Sequence, residues 1–191
     1  MPPMRVLGID PGSRRCGYGV VSRDGGRLTV VESGVLVPGA RPMAERLALL
    51  LDGLTAVIGR TRPAEVSIEQ IFTGISPRSA LALGQARGVA MAVAGRAGLP
   101  VFEYQPSEVK LAFTGSGRAG KAQMMRTARA LLGVEAELSD EADAVALAVC
   151  HLARRPLELA TVVQGRATSA ATARAARSRL RPARHDHRRL P

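Results

Sequence analysis

Four acidic residues occupy positions from which carboxylates could act on a phosphate ester. Asp10 ends the first predicted strand, and Glu69 ends the fourth. In open α/β sheets, ligands bind beyond the carboxyl ends of the strands. Asp140 and Asp143 are three residues apart, so a helix places both on one face. The four acids thus come from three separate elements that one site could combine.

Oxygen ligands without His or Cys among them suit a hard cation such as Mg²⁺. Two such ions, about 3.5–4 Å apart, can activate a water and stabilise the leaving oxygen in phosphodiester hydrolysis. Each acid also has a local explanation. Asp10 fits a turn residue that bonds its own backbone, Asp140 fits a first-turn helix acid, and Glu69 fits a solvated strand end. Asp143 lies past the first turn, so the local explanation is weakest there.

Composition narrows the class of protein. The chain has 191 residues, 46% of them hydrophobic, which excludes a wholly disordered protein. Aromatic residues make up only 3% of the chain, which argues against a surface with several base-stacking platforms. The two cysteines lack CxxC spacing, and neither a signal peptide nor a membrane-length apolar run is present. We therefore expect a cytoplasmic protein with reduced thiols and no membrane partner.

The positive charge is concentrated at the carboxyl end. Lys and Arg number 27 against 16 Asp and Glu, a formal net charge of +11 that favours a polyanionic partner. Residues 154–191 contain ten arginines and only two acids, and they lack aromatic residues and apolar periodicity. We predict a folded domain over residues 4–153 and a basic, disordered tail over 154–191. The tail fits a nucleic-acid-binding arm and a dispensable extension equally well.

Periodicity predicts an α/β domain with a mixed five-stranded sheet flanked by helices. Short connections and the turn at Asp24–Gly26 favour an antiparallel start to the sheet. The predicted order is three strands, then helix, strand, helix, strand and further helices. The strands are expected at 5–9, 17–22, 28–37, 65–69 and 101–104, and the helices at 42–60, 78–97, 106–113, 121–132 and 139–153.

Several blocks of sequence resemble the RuvC-type Holliday-junction resolvases. They occur in order across almost the whole predicted domain, with the acids in register. The blocks are LGIDPGSR (7–14), GYGV (17–20), IEQIF (68–72), ALGQARGV (82–89), PVFEY (100–104) and DEADAVALA (140–148).

The resemblance implies a ribonuclease-H-like fold and a homodimer that makes paired nicks in four-way junction DNA with Mg²⁺ or Mn²⁺, two ions per site. It places the metal-binding acids at Asp10, Glu69, Asp140 and Asp143. It also matches Phe72 to an aromatic residue used at the opened junction centre, where a ring can wedge between base steps. A branch-migration helicase complex is the implied partner.

The basic residues of the predicted domain suggest further roles. Lys110 and Lys121 are the only lysines in the chain, and the resemblance places both near the active site as catalytic residues. Ordinary surface lysines are the alternative. We expect DNA contacts from basic residues around the cleft, namely Arg14, Arg78, Arg87, Arg118, Lys110 and Lys121.

Other functions fit less well. Residues 115–121 satisfy the GxxxxGK part of a phosphate-binding loop, but Ala122 replaces the required Ser or Thr and no strand precedes the loop. An actin-like or sugar-kinase-like ATPase needs a second domain that about 150 residues do not supply. A small RNA-processing nuclease and a non-catalytic nucleic-acid-binding module remain as alternatives. His151 lies two turns beyond Asp143, and we interpret it as a structural, partly buried residue.

Overall fold

Five strands form one mixed sheet, and helices cover both of its faces. The computed structural model describes residues 3–70, 76–133 and 139–155. The strands are β1 (Met4–Asp10), β2 (Cys16–Asp24), β3 (Arg27–Leu36), β4 (Glu65–Glu69) and β5 (Val101–Tyr104). The helices are α1 (Met43–Thr61), α2 (Pro77–Arg96), α3 (Pro106–Thr114), α4 (Lys121–Leu132) and α5 (139–155).

The strand order β3-β2-β1-β4-β5 brings the first and fourth strands together. β1, β2 and β3 form an antiparallel meander, because their connections are too short for a crossover. The chain then crosses over through α1, so β4 pairs parallel to β1, and β5 pairs parallel to β4. Ile9 lies opposite Ile68 in this register. The next residue of each strand, Asp10 and Glu69, therefore lies at the same edge of the sheet.

Two apolar layers enclose the sheet. On one face, Leu7, Ile9 and Val20 pack with the buried sides of α1 and α2. On the other face, Val6 and Val21 pack with α3, α4 and α5. Successive strand residues point to opposite faces, so Gly8 and Asp10 share the face of Val6. The carboxylate of Asp10 thus lies on the side that α5 covers.

Three glycines let α5 approach the sheet unusually closely. A Cβ atom at Gly8 would lie 1.9 Å from the carbonyl oxygen of Ala144, and one at Gly17 would lie 1.9 Å from that of Asp140. A Cβ atom at Gly19 would lie 2.6 Å from the side chain of Val145. Glycine inside a strand weakens it and often marks a place where another backbone comes near. Here it brings the amino end of α5 down onto β1 and β2.

The structure confirms the predicted α/β class and the mixed five-stranded sheet, and element ends differ from prediction by at most two residues. The chain divides into two units, Met1–Ala153 and Arg154–Pro191. Only residues 154 and 155 of the second unit are described, so the predicted disorder of the tail lies outside the described residues. None of the described helices combines the length and apolar character that a membrane-spanning segment requires.

Candidate active site

Asp10 is the centre of a group of mutually repelling carboxylates. Its pKa is raised from 3.8 to about 8, mainly by burial and in addition by the negative charges of Glu69, Asp143 and Asp140. Lys121 acts in the opposite direction. A carboxyl group with such neighbours resists ionisation unless a cation compensates the charge. The four acids that the sequence singled out therefore lie close enough to interact.

Glu69 and Asp143 share this environment. Burial is the main cause of the raised pKa of Glu69, and the charge of Asp143 adds to it. Burial also raises the pKa of Asp143, together with the charge of Asp140. Because β4 supplies Glu69 and α5 supplies Asp143, the site depends on how the helix lies across the sheet.

Asp140 already has a cationic partner. The Nε atom of Arg15 donates a hydrogen bond of 2.7 Å to its Oδ2 atom, in an ion pair that bridges the loop after β1 and the first turn of α5. The neighbouring Glu141 accepts a hydrogen bond of 2.6 Å from Ser33 on β3. The first turn of α5 is thus tied to the sheet on both sides. The role of Arg15 was not predictable from local sequence patterns, because its partner is 125 residues away.

Both lysines of the chain contribute to the field at the acids. Lys110 lies on α3 and lowers the pKa of both Glu69 and Asp143 against the effect of burial. Lys121 begins α4 and does the same for Asp10 and Asp143. The structure therefore places both lysines beside the carboxylates.

Arg87 has internal partners. It forms an ion pair with Glu103 on β5 and donates from Nε to the backbone oxygen of Glu69 at 3.3 Å. Only 16% of its side chain is exposed. Its predicted DNA contact remains a prediction, and its position beneath Glu69 indicates that it also holds the end of β4.

An open cleft leads away from the acids. It has a volume of about 440 Å³ and is bounded by Asp10 and Asp140, by the loop at residues 11–15, and by Ser79, Ala82 and Leu83 of α2. Arg14 and Arg15 line its wall and are both exposed. The cleft therefore combines a basic rim with an acidic end.

The structure describes some, but not all, of the remaining residues that were predicted to contact DNA. Arg78 is exposed at the start of α2, and Arg118 is exposed in the loop before α4. Phe72 lies in 71–75, outside the described residues. The GxxxxGK pattern follows α3 rather than a strand, which agrees with our rejection of a phosphate-binding loop.

His151 corrects one detail of the sequence analysis. It was expected to be partly buried, but it is completely buried and hydrogen-bonded to Tyr104 and Glu65. The physical reason is that both partners are polar groups inside the core, supplied by β5 and β4, which an isolated histidine on a helix face does not reveal.

The donor set fits a divalent cation. The acids are hard oxygen donors, and the raised pKa of Asp10 reflects a repulsion that a bound cation would relieve. Within residues 3–70, 76–133 and 139–155, no group of three or more His, Cys, Asp or Glu side chains is already arranged to bind a metal ion. Asp140 is held by Arg15 instead.

A mixed sheet with carboxylates at its central strand ends, beside a cleft with basic walls, defines a nuclease domain of the ribonuclease-H-like class. The family profile described as "Crossover junction endodeoxyribonuclease RuvC" matches residues 6–151. The chain belongs to this family.

Individual relatives agree with the family profile. A crossover junction endodeoxyribonuclease RuvC from Anaeromyxobacter dehalogenans is 71% identical over 188 residues, which is 98% of this chain and 100% of the relative. One from Trichlorobacter lovleyi is 49% identical and covers 82% of this chain and 89% of its own length. The solved structure of T. thermophilus RuvC in complex with a Holliday junction substrate is 33% identical. It superposes with a TM-score of 0.73 and covers 78% of this chain and 93% of that chain.

Proposed function

We propose that this protein is a structure-selective endodeoxyribonuclease that resolves four-way DNA junctions by paired, symmetric nicks during recombination and repair. The observation that carries the proposal is the electrostatic interaction of Asp10 with Glu69, Asp140 and Asp143, acids that come from two strands and one helix. A 33% identical relative of the same fold has been solved with a Holliday junction substrate, which supports the choice of DNA structure.

We further propose that the four acids hold two Mg²⁺ ions, for which Mn²⁺ can substitute. Bound there, the ions would supply a water of lowered pKa and would stabilise the leaving oxygen of the phosphodiester. Asp10 interacts electrostatically with Glu69 of β4 and with Asp140 and Asp143 of α5, and this favours its role as a metal ligand. Asp140 becomes available to a metal when it leaves Arg15.

The protein's own cations act on the phosphate. Lys121 interacts with Asp10 and Asp143, and Lys110 interacts with Glu69 and Asp143, so each lysine can face a phosphate that approaches the acids. An ammonium fixed in this position stabilises the additional negative charge that develops in the transition state. Arg14 and Arg15 border the adjoining cleft and can bind flanking phosphates.

The paired cuts require two active sites, and we propose a homodimer. The side of α2 that carries Ala86 and Ala90 is buried, whereas Leu81 on its other side is 66% exposed. Gly88 on that outer side has open space around it. An uncharged helix face of this kind suits contact with a second copy, and a two-fold enzyme matches a two-fold junction.

A branch-migration helicase complex in the cytoplasm is the proposed partner, with the nucleoid as the place of action.

A nicking assay tests the proposed function. A synthetic four-way junction and a linear duplex of the same sequence are incubated with the full-length protein, with and without Mg²⁺. We expect symmetric nicks in opposite strands of the junction only when Mg²⁺ is present, and little cutting of the duplex. Equal cutting of both substrates would contradict structure selectivity, and cutting in the presence of EDTA would contradict the metal-dependent mechanism.

Lys121 is expected to act in the chemical step. Replacing Lys121 with alanine should lower the single-turnover cleavage rate at saturating junction DNA by roughly 10- to 100-fold, because the transition state loses a positioned cation. Arg126→Ala is the matched control, because it removes an exposed cation from the same helix. A Lys121→Ala rate equal to that of the control would assign Lys121 to the helix surface alone.

Arg15 is expected to compete with metal for Asp140. In the absence of DNA, Arg15→Ala should bind Mn²⁺ about two- to fivefold more tightly, because a partly exposed ion pair contributes up to about 1 kcal/mol. Calorimetric titration of the metal-free protein measures the dissociation constant. Arg14→Ala, which removes a neighbouring exposed charge, should change the affinity less. Unchanged affinity in Arg15→Ala would show that metal binding does not displace this pair.

A further inference from the structure

Glu65, Tyr104 and His151 form a buried polar triad that joins β4, β5 and α5. The rings and carboxyl group are almost completely shielded from solvent, with exposures of 8%, 1% and 0% respectively. His151 Nδ1 is 2.7 Å from the hydroxyl of Tyr104, and its Nε2 is 2.6 Å from Oε2 of Glu65. A neutral imidazole that carries its proton on Nε2 satisfies both contacts: Nε2 donates to the carboxylate and Nδ1 accepts from the tyrosine.

The triad joins the three elements around the carboxylates. Glu65 begins β4, the strand that Glu69 ends, and His151 lies on α5, which carries Asp143. Tyr104 ends β5, where its backbone pairs in register with Glu69. Each member of the polar triad is therefore linked, through its own strand or helix, to the position of a proposed metal ligand.

The spacing along strand and helix is matched. α5 runs antiparallel to β1: Asp140 lies over Gly17, beside the end of β1, and the carbonyl of Leu152 accepts a hydrogen bond from Arg23, whose strand partner is Met4. Eight residues of helix rise about 12 Å, and four residues of strand rise about 13 Å. The contact between His151 and Glu65 therefore brings Asp143 level with Glu69.

Apolar packing alone defines this position poorly. The glycines of β1 and β2 fix how closely α5 approaches, but the helix residues that face Gly8 are Ala144 and Ala148, whose short side chains offer little resistance to sliding along the helix axis. Directional hydrogen bonds inside the core do resist it. A buried polar contact of this kind contributes little net stability compared with well-packed apolar residues, so we assign its benefit to a defined geometry.

We propose that Glu65, Tyr104 and His151 are positioning residues that set where α5 lies along β4, and hence the separation of Asp143 from Glu69. The inference rests on the proposed function, because it assigns the polar triad to the alignment of the metal ligands. None of the three belongs to the proposed set of metal ligands.

The double variant Glu65→Leu/His151→Leu separates alignment from stability. Apolar side chains of similar volume should preserve the free energy of unfolding to within about 2 kcal/mol. We expect the Mn²⁺ dissociation constant, measured by calorimetry on the full chain without DNA, to rise about tenfold, in the range seen when groups that orient metal ligands are lost. The cleavage rate at saturating junction should fall with little change in KM. Wild-type metal affinity in the folded double variant would overturn the inference.

Two further variants keep the test decisive. Tyr104→Phe removes a single hydroxyl group and should weaken Mn²⁺ binding about threefold in a protein that folds normally; an unchanged affinity would also overturn the inference. Val57→Ala, a buried substitution in α1 on the opposite face of the sheet, controls for loss of stability and should leave metal affinity within twofold of wild type. Failure of the proposed function itself would be visible in the wild type, which would then neither bind Mn²⁺ nor cut the junction.

Discussion

Asp10→Asn is expected to abolish junction cleavage and, at the same time, to stabilise the metal-free protein. Asparagine keeps the shape of the side chain but removes the charge that both proposed ions need, so the cleavage rate should fall about 1000-fold. Binding to the junction should persist, because the basic groups around the cleft are unchanged. Single-turnover cleavage and a gel-shift titration measure the two effects.

The stabilising effect follows from the pKa of Asp10. The folded protein raises this pKa from 3.8 to about 8, so the protonated carboxyl group is favoured by folding. The stability that protonation provides is fully present below about pH 4, and it is lost as the pH rises through about 8. The advantage of Asp10→Asn over wild type should therefore grow across this range, to roughly 1–3 kcal/mol in metal-free urea denaturation at pH 8.

Added Mg²⁺ should reverse the order of stability. A ligand that binds only the folded state stabilises it more the more tightly it binds, and wild type should bind the ion more tightly than Asp10→Asn. Asp52→Asn is the matched control, because Asp52 lies exposed on α1, away from the site. If Asp10→Asn were no more stable than wild type at pH 8 without metal, the repulsion among the carboxylates would be much weaker than the structure indicates.

The order of elements was readily predictable from the sequence. Apolar runs bounded by Gly, Pro and Asp define the strands, and β4 and β5 have the predicted ends because Pro63 and Pro100 precede them closely. The closeness of the four acids to one another was not predictable from the same patterns. It depends on β4 pairing with β1 rather than with β3, which is a consequence of the crossover through α1.

The glycines in β1 and β2 were a sequence signal for the close packing of α5, because local patterns do not explain them. Gly8, Gly17 and Gly19 interrupt two strands, where glycine is unfavourable, and the structure shows that each faces the backbone of α5. What no pattern reveals is the pairing of distant charges. Arg15 and Arg87 find Asp140 and Glu103 only after folding, and nothing local distinguishes them from other arginines. The role of each proposed site residue remains a prediction that the variants test.

Gly17→Ala is expected to disable the site without touching a carboxylate. The added methyl group would lie 1.9 Å from the carbonyl oxygen of Asp140 and 2.5 Å from its carbonyl carbon, far inside contact distance. Because both partners are backbone, the first turn of α5 must move by about 1 Å or more. Overpacking of this kind costs about 1–3 kcal/mol of stability, and a 1 Å misplacement of catalytic groups lowers a rate by about 100-fold. Single-turnover cleavage and urea denaturation measure both.

Gly59→Ala is the matched control for Gly17→Ala. Gly59 lies in α1, and a Cβ atom there meets nothing within 4 Å, so alanine should stabilise the protein by about 0.5–1 kcal/mol and leave cleavage unchanged. A loss of cleavage in Gly17→Ala that exceeds its loss of folded protein would show that helix placement limits the chemistry. Wild-type cleavage in the folded Gly17→Ala protein would instead mean that bound metal draws Asp140 and Asp143 into place, so that close packing of α5 serves stability alone.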